Sequence, residues 1–577
     1  MSQDFIFRGS LEELDPDLSH LLTLEDQRQA ERIILIASES AAPEAVRQAM
    51  TSTFANIYAE GYPREESRRQ KESDILDVEA ELAYYRRYSD PRYYKGVELA
   101  DLLEALARRR AAELFAANGV SADQLYVNVQ PLSGAPANNA VYTALLQPGD
   151  TIMGLNLNDG GHLSHGSKVH RSGKLYNAVA YTVDPQTEAL DYAAIEAQAL
   201  EVKPKIIVAG YSAYPLLIDW QRFRAIADQY GAYLLADIAH IAGLVAAGVH
   251  PSPIGIAHVV TTTTHKSLCG PRGAMILTHD KSLAAKLDRA IFPGEQGGPH
   301  LNTIAALAVA LKLAQSEQFR TLQARIVRNA AYLAENLQEL GLRVVAGRSE
   351  NHLLMIDTKS VRHHGEVLSG DMAARILDLA GIVTNRNTIP GDKNALAASG
   401  VRIGTVWISQ LGWGDAEMEQ LAQAMATVLK ACQPFAYQGL GGKELARAKV
   451  DFWALQQARE MVRVLTHSPR PLPAGDTVEI RGAEAARFLD LALASNVLAL
   501  ADGDSQATRL LGGGFLDMAS RLRRVAADRF WLRFSDPSDA QTAAEWLTAL
   551  SDGYVLFDDV YGKLPGPVVV KTVASAG

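Results

Sequence analysis

Between residues 124 and 263 short β-rich runs alternate with helical stretches, and nothing else in the chain restricts its fold so tightly. The runs lie at 124–129, 151–155, 205–209, 232–236 and 258–263, with helical patterns such as 192–200 and 220–229 between them. A parallel neighbour strand can be reached only through a crossover long enough to hold a helix, so this alternation builds βαβ units. The expected fold class is α/β with a mostly parallel sheet. Ligands of such sheets sit beyond the carboxyl ends of the strands, which makes the residues ending those runs the functional candidates.

The rest of the chain departs from this rhythm. Residues 11–50 and 101–117 read as helical. After 293 come long helices at 301–316 and 319–340, then a smaller α+β stretch to about 431. Gly439, Gly441 and Gly442 precede a charged helix expected over 443–465, and 467–475 has the Pro/Gly content of a linker. A chain of 577 residues exceeds one ordinary domain. The expected division is an N-terminal arm and large α/β domain over 1–300, a small α+β domain over 301–440, a helix and linker over 441–475, and a C-terminal α+β module over 476–577. Residues 64–91 stand apart. They are rich in charge, as a solvated helix is, yet Ile75, Leu76, Leu82 and Tyr85 could form a narrow apolar stripe.

Charge narrows the partners. The formal net charge is -10 and no basic patch stands out in the sequence, so neither nucleic acid nor an anionic membrane is expected. No apolar run reaches the roughly 18 residues that span a bilayer. Cys269 and Cys432 are the only cysteines, too few for a disulfide scaffold or a cysteine-rich zinc site, and no metal centre is expected. The acidic stretch 1–17 lacks the basic and apolar regions of a secretory signal, so the expected location is the cytoplasm.

Two strand ends carry the chemistry. Lys266 follows the β-branched run 258–263, where an amine can be partly desolvated, its pKa lowered, and a Schiff base formed. A lone lysine would more often be a surface residue. One run earlier, Asp237 ends the buried stretch 234–237, and a carboxylate there is costly unless paired. Pyridoxal phosphate (PLP) supplies the partner, because its protonated pyridine nitrogen wants an aspartate. His162, beside Gly160 and Gly161, could stack on the ring. Ser133, Gly134 and Ala135 precede a helical stretch and offer backbone N–H groups to a phosphate, and 294–298 is a second glycine-rich loop.

The order of several strings resembles the serine hydroxymethyltransferase family over residues ~20–435. They are Ile36-Ala-Ser38-Glu39, Tyr58-Ala-Glu60-Gly-Tyr-Pro63, Arg92-Tyr-Tyr94, Gly160-Gly-His162-Leu-Ser-His-Gly, Tyr211-Ser212-Ala-Tyr214, Asp237-Ile-Ala-His240, the run 261–266 with Gly270-Pro-Arg272-Gly, Phe292 to Pro299, and Gly400-Val-Arg402-Ile-Gly-Thr405. The resemblance implies a PLP-dependent, aminotransferase-like fold type I domain with a smaller α+β domain. It also implies roles: Lys266 links to the cofactor, Asp237 pairs with the ring nitrogen, His162 stacks, and Ser212 and His240 lie near the ring hydroxyl. Arg402 clamps the substrate carboxylate as a bidentate donor. Ser38 and Tyr94 face the substrate, Glu60 handles a proton near the transferred carbon, Tyr58 lies near the phosphate, and His265 is a further catalytic candidate. Tyr58, Glu60, Tyr94 and Gly298 are implied to come from a neighbouring subunit, giving a homodimer or dimer of dimers. Leu157, Gly161 and Asn387 match folate contacts.

The implied reaction is the reversible interconversion of serine plus tetrahydrofolate with glycine plus 5,10-methylenetetrahydrofolate. A folate-independent PLP aldolase or transaldolase acting on threonine-like β-hydroxy amino acids is the alternative. The chain departs from the family pattern at Ala135 (often serine), Ser40 (usually asparagine), Leu132 (histidine) and 405–412, and in the inserted 64–91. The strings 478–489 and 512–517 resemble the start of the glycine-cleavage aminomethyltransferase family, but Met518 replaces the second of its paired aspartates, after Asp517. A degenerate structural or docking module is the expectation there.

Overall fold

Seven strands form the sheet on which the larger of two compact units is built. The computed structural model describes residues 8–89, 91–438, 444–469, 474–512, 518–557 and 562–574. Gly439, Gly441, Gly442, the middle of the 467–475 linker and Asp517 of the 512–517 string lie outside the described residues. The larger unit comprises Ile34–Asp357 and Thr384–Glu419. Its strands are β1 (Tyr126–Asn128), β2 (Thr151–Leu155), β3 (Asn177–Tyr181), β4 (Ile206–Ala209), β5 (Tyr233–Asp237), β6 (Val259–Thr263) and β7 (Ala274–Thr278). Their order across the sheet is β1-β7-β6-β5-β4-β2-β3. Only β7 runs against its neighbours β1 and β6; the others are parallel.

Five of these strands are the β-rich runs of the sequence, and two are not. β3 lies at the sheet edge with an exposed face and so lacks a continuous apolar signal. β7 follows β6 after a glycine-rich turn with no helix between, which breaks the alternation. The central strands β4 to β7 are buried along almost their whole length, as strands covered on both faces must be. Ile207, Leu234 and Val260 pack on one face with Phe223 and Trp220; Ile206, Leu235 and Val259 pack on the other with Val141 and Tyr142.

An antiparallel sheet in the same unit joins Asn385–Asn387, Gly400–Gly404, Leu353–Asp357 and Arg343–Val344 in that order. It places Arg402 opposite Met355 and Asn385.

The segment 64–91 is a helical excursion clamped at its base. It comprises short helices at Glu65–Arg69 and Glu72–Ile75 and a longer one at Val78–Tyr88. The chain leaves and returns at one place: Arg92 donates to the carbonyls of Ala59 and Gly61, and the Tyr93 N–H donates to the Glu60 carbonyl. Arg92 is held by Asp101 and Glu104, with both the Arg92 and Glu104 side chains fully buried. Arg68–Asp288 and Arg110–Glu72 tie the excursion to the larger unit. Of the expected stripe, Ile75 is fully buried and Leu82 and Tyr85 are half-buried, but Leu76 is 50% exposed. Leu76 directly follows Ile75, and successive helical residues point about 100° apart, so both cannot share a narrow buried face.

The smaller unit comprises Met1–Ile33, Thr358–Val383 and Gln420–Gly577. Here the expected helix over 443–465 is corrected. Glu444–Val450 is a strand antiparallel to Cys432–Gln438, and the helix spans only Phe452–Leu465. Ladder pairing and burial of Ala448 and Val450 outweigh local helix propensity there, and Asp451 caps the helix by accepting the Ala454 N–H. Residues 474–574 form a five-stranded antiparallel sheet in the order Ser505–Arg509, Ala519–Ala526, Arg529–Arg533, Thr477–Arg481, Val569–Val573. Helices Ala485–Ala492 and Pro537–Asp552 cover its inner face. This sheet is fastened to the preceding hairpin and helix: the buried Lys449 ammonium donates to the Gly553 and Gly562 carbonyls, and Trp546 meets Phe452 edge-on at 5.0 Å.

Among the described residues no helix is long and apolar enough to cross a membrane.

Candidate active site

The sheet brings Asp237 and Lys266 to one pocket of about 390 Å³. Asp237 is the last residue of β5, and Lys266 lies three residues past the end of the neighbouring β6. Strand parallelism makes both ends point the same way, which is why two residues far apart in sequence face one cavity.

Asp237 is a carboxylate surrounded by donors. Its Oδ2 accepts from Asn138 Nδ2 at 2.8 Å and lies 2.9 Å from His165 Nε2, and its Oδ1 accepts from the Ala239 N–H at 3.0 Å. Burial by itself would raise its pKa, but the His165 bond, the nearby histidines and Asn138 outweigh it and hold the group well below the usual carboxylate range. Asn138 is fixed in turn: its other N–H reaches Ser164 Oγ at 2.9 Å, and its Oδ1 accepts from Thr261 Oγ1 at 2.7 Å. Asp237 therefore stays ionised in a buried position at the pocket wall.

Lys266 is 9% exposed, and burial lowers its pKa to about 8, with Asp237 opposing the shift and Arg402 and Arg272 adding to it. An amine near 8 reaches its neutral, nucleophilic form far more readily than an ordinary lysine, about a tenth of it being neutral at pH 7. His162 accepts the Ser164 N–H at its Nδ1, which leaves the ring proton on Nε2, and burial lowers its pKa to about 4. It is a neutral, flat ring at the pocket wall. His265, whose carbonyl accepts from Ser40 Oγ, is likewise lowered to about 4 by burial.

His240 also lines the pocket, with its Nδ1 3.1 Å from His352 Nε2; both are buried and pushed down in pKa by that burial. Arg402 enters from the antiparallel sheet. Its Nη1 donates to the Ser212 carbonyl at 2.7 Å and its Nε to Asn385 Oδ1 at 3.2 Å, and burial lowers its pKa to about 10, so it remains a cation. Ser38 completes this wall.

Ser133, Gly134 and Ala135 line the same pocket at the start of helix Gly134–Leu145. The Ser133 side chain makes no capping bond, so the first-turn N–H groups are left for an anion. A Cβ on Gly134 would fall 2.9 Å from the Thr263 methyl, so a larger residue there would have to displace the end of β6 or the helix start. The donor set fits PLP: a charged carboxylate for a pyridinium, a low-pKa lysine for an aldehyde, a neutral ring to stack, and a helix start for a phosphate.

A second pocket of about 270 Å³ gathers Leu157, Gly161 and Asn387, and His162 and Ser212 line both cavities. The remaining candidates lie elsewhere. Tyr58 and Tyr94 meet edge-on at 5.2 Å and are 55% and 38% exposed. Tyr58 Oη is 3.4 Å from Glu60, and a Cβ on Gly298 would fall 3.0 Å from the Tyr58 ring. These four form their own group and do not line the Lys266 pocket.

Sequence reasoning assigned no role to Asn138, His165, Arg272 or His352. Asn138 had one signal, a polar residue one turn into an apolar helix. His165 and Arg272 lie inside strings that carry the family resemblance, but nothing local tells that they face Asp237 and Lys266.

A family model described as serine hydroxymethyltransferase matches residues 11–86 and 73–425. The two matched stretches overlap at 73–86, inside the helical excursion, and together they span most of the chain. With the paired strand ends, the phosphate-ready helix start and this match in hand, the chain belongs to the serine hydroxymethyltransferase family.

Proposed function

We propose that the protein is a PLP-dependent glycine hydroxymethyltransferase of fold type I that interconverts serine plus tetrahydrofolate with glycine plus 5,10-methylenetetrahydrofolate. The observation that carries this reading is the pairing of Asp237 and Lys266 at adjacent strand ends in a pocket that also holds the Arg402 guanidinium. When bound, PLP withdraws electrons from the substrate Cα. The chain supplies the rest. Asp237, held by Asn138 and His165, would supply the negative charge that pairs with the ring nitrogen. Arg402 orients the amino acid by its carboxylate, and Lys266 supplies the amine that holds and releases. His162, neutral, packs without adding charge.

Folate is assigned to the adjoining pocket at Leu157, Gly161 and Asn387, where the shared wall at His162 and Ser212 brings it beside the amino acid. Tyr58, Glu60, Tyr94 and Gly298 are assigned to the neighbouring subunit's site in a homodimer or a dimer of dimers, which accounts for the exposure of Tyr58 and Tyr94 away from Lys266. The C-terminal module is assigned no second transferase activity.

The test is glycine formation from serine by the purified protein with and without tetrahydrofolate. Folate-dependent turnover is expected. Cleavage of threonine-like substrates, with serine turnover indifferent to folate, would favour the aldolase reading instead.

A further inference from the structure

The C-terminal sheet has an outer face that the proposed chemistry does not use. Strand alternation sorts its residues. Val478, Ile480, Leu522, Phe530 and Leu532 point inward and are fully buried. The opposite face carries Arg521 and Arg523 on one strand, Arg529 and Arg533 on the next, and Arg481 on the third, all exposed. Arg509 and Lys571 extend it on the two outer strands, also exposed.

The register makes this arrangement costly. Arg521 lies directly opposite Arg533, and Arg481 directly opposite Arg529. Like charges facing each other across an antiparallel pair destabilise the sheet. Among the described residues carboxylates answer part of the charge: Glu479 serves Arg529 and Lys571 and lies 4.0 Å from Arg481, and Asp476 serves Arg533. At the centre Trp531 lies under two guanidinium groups, Arg523 at 6.0 Å and Arg529 at 5.9 Å. A chain of net charge -10 thus concentrates cations on one face of this sheet.

We propose that this face binds single-stranded nucleic acid. The chemistry selects that partner. Nearly all the cations are arginine, whose planar guanidinium pairs with phosphate in a bidentate way and stacks on bases, which lysine does not. An open antiparallel sheet with an aromatic among cations is a stacking platform with an electrostatic track. The net charge, which as an average argues against a polyanion, is reversed locally here.

The experiment is fluorescence anisotropy of a labelled mixed-sequence RNA of about 16 nucleotides with the full chain at rising salt. Saturable binding is expected, weakening as salt rises. The triple variant Arg521→Gln, Arg523→Gln, Arg533→Gln should lose at least about tenfold in affinity and about 2 from the log–log salt slope, three phosphate contacts at about 0.7 each. The corresponding triple lysine variant keeps the charges and should keep the slope. Thermal melting checks that the sheet persists in both. Absence of binding at low salt, unchanged affinity in the glutamine variant, or saturable binding of a polyglutamate peptide with none of RNA would each overturn the proposal.

Discussion

Lys266 and Arg402 show how burial sets the chemistry of single residues. The Lys266 amine titrates near 8 in place of its ordinary 10.5 because the pocket disfavours its charge. Below about pH 8 both folded and unfolded chains hold that proton, and the burial cost is present in full. As pH rises from about 8 towards 10.5 the folded chain loses the proton first, so the stability of the cofactor-free protein increases across that window. The same titration predicts that PLP uptake by the cofactor-free protein accelerates as pH rises through about 8 and then levels off. Uptake rates measured by absorbance on both sides of that pH check it; a plateau only near the ordinary lysine value would contradict it. Arg402→Ala should weaken serine and glycine by about 2 to 5 kcal/mol while leaving PLP bound, because it removes the buried guanidinium proposed to hold the substrate carboxylate. Amino-acid titration of the cofactor absorbance reads this directly. At this scale Lys266 and Asp237 were legible because they end β-rich runs. Asn138, His165 and His352 were not, because their meaning lies in partners brought from distant elements.

At the scale of elements, alternation exposed the parallel strands and missed the two that break it, the edge strand β3 and the antiparallel β7. The helix expected from 443 failed for a related reason. Local composition favoured it, but the partner strand Cys432–Gln438 was invisible to a local pattern. The excursion 64–91 was legible as an insertion with something to bury, and its clamp was not. Arg92 closes that clamp with no exposed side-chain surface, bonded to two carbonyls and two carboxylates. Arg92→Met leaves Glu104 with less compensation in the interior, and the loss of a buried partner typically costs about 3 to 5 kcal/mol. Thermal denaturation of the variant should show a clearly lowered midpoint. Replacement without effect would mean that Arg108 and Gln130 alone satisfy Glu104.

For the whole molecule, the family match ends at 425, and the C-terminal sheet follows on a hairpin and helix that it shares a core with. The composition of 467–475 suggested a linker between independent pieces, and composition cannot show that Trp546 packs on Phe452 across it. Proteolytic cleavage within 467–475 is predicted to preserve the proposed hydroxymethyltransferase activity, since every residue lining the Lys266 pocket precedes it. The C-terminal piece, separated under denaturing conditions and refolded, is predicted to release no ammonia from an aminomethyl-carrier protein. Its resemblance to the aminomethyltransferase family covers only the start of that pattern and lacks the second aspartate at Met518. Ammonia release by the refolded piece would contradict this.

Lys266, three residues past the end of β6 and in one pocket with Asp237, is the residue proposed to hold the cofactor. Borohydride reduction of the PLP-loaded protein, followed by digestion and peptide mass spectrometry, tests it most directly. The predicted result is a single phosphopyridoxyl adduct on Lys266, absent from Lys266→Ala. A reduced adduct mapped to another lysine would contradict the assignment of the entire site.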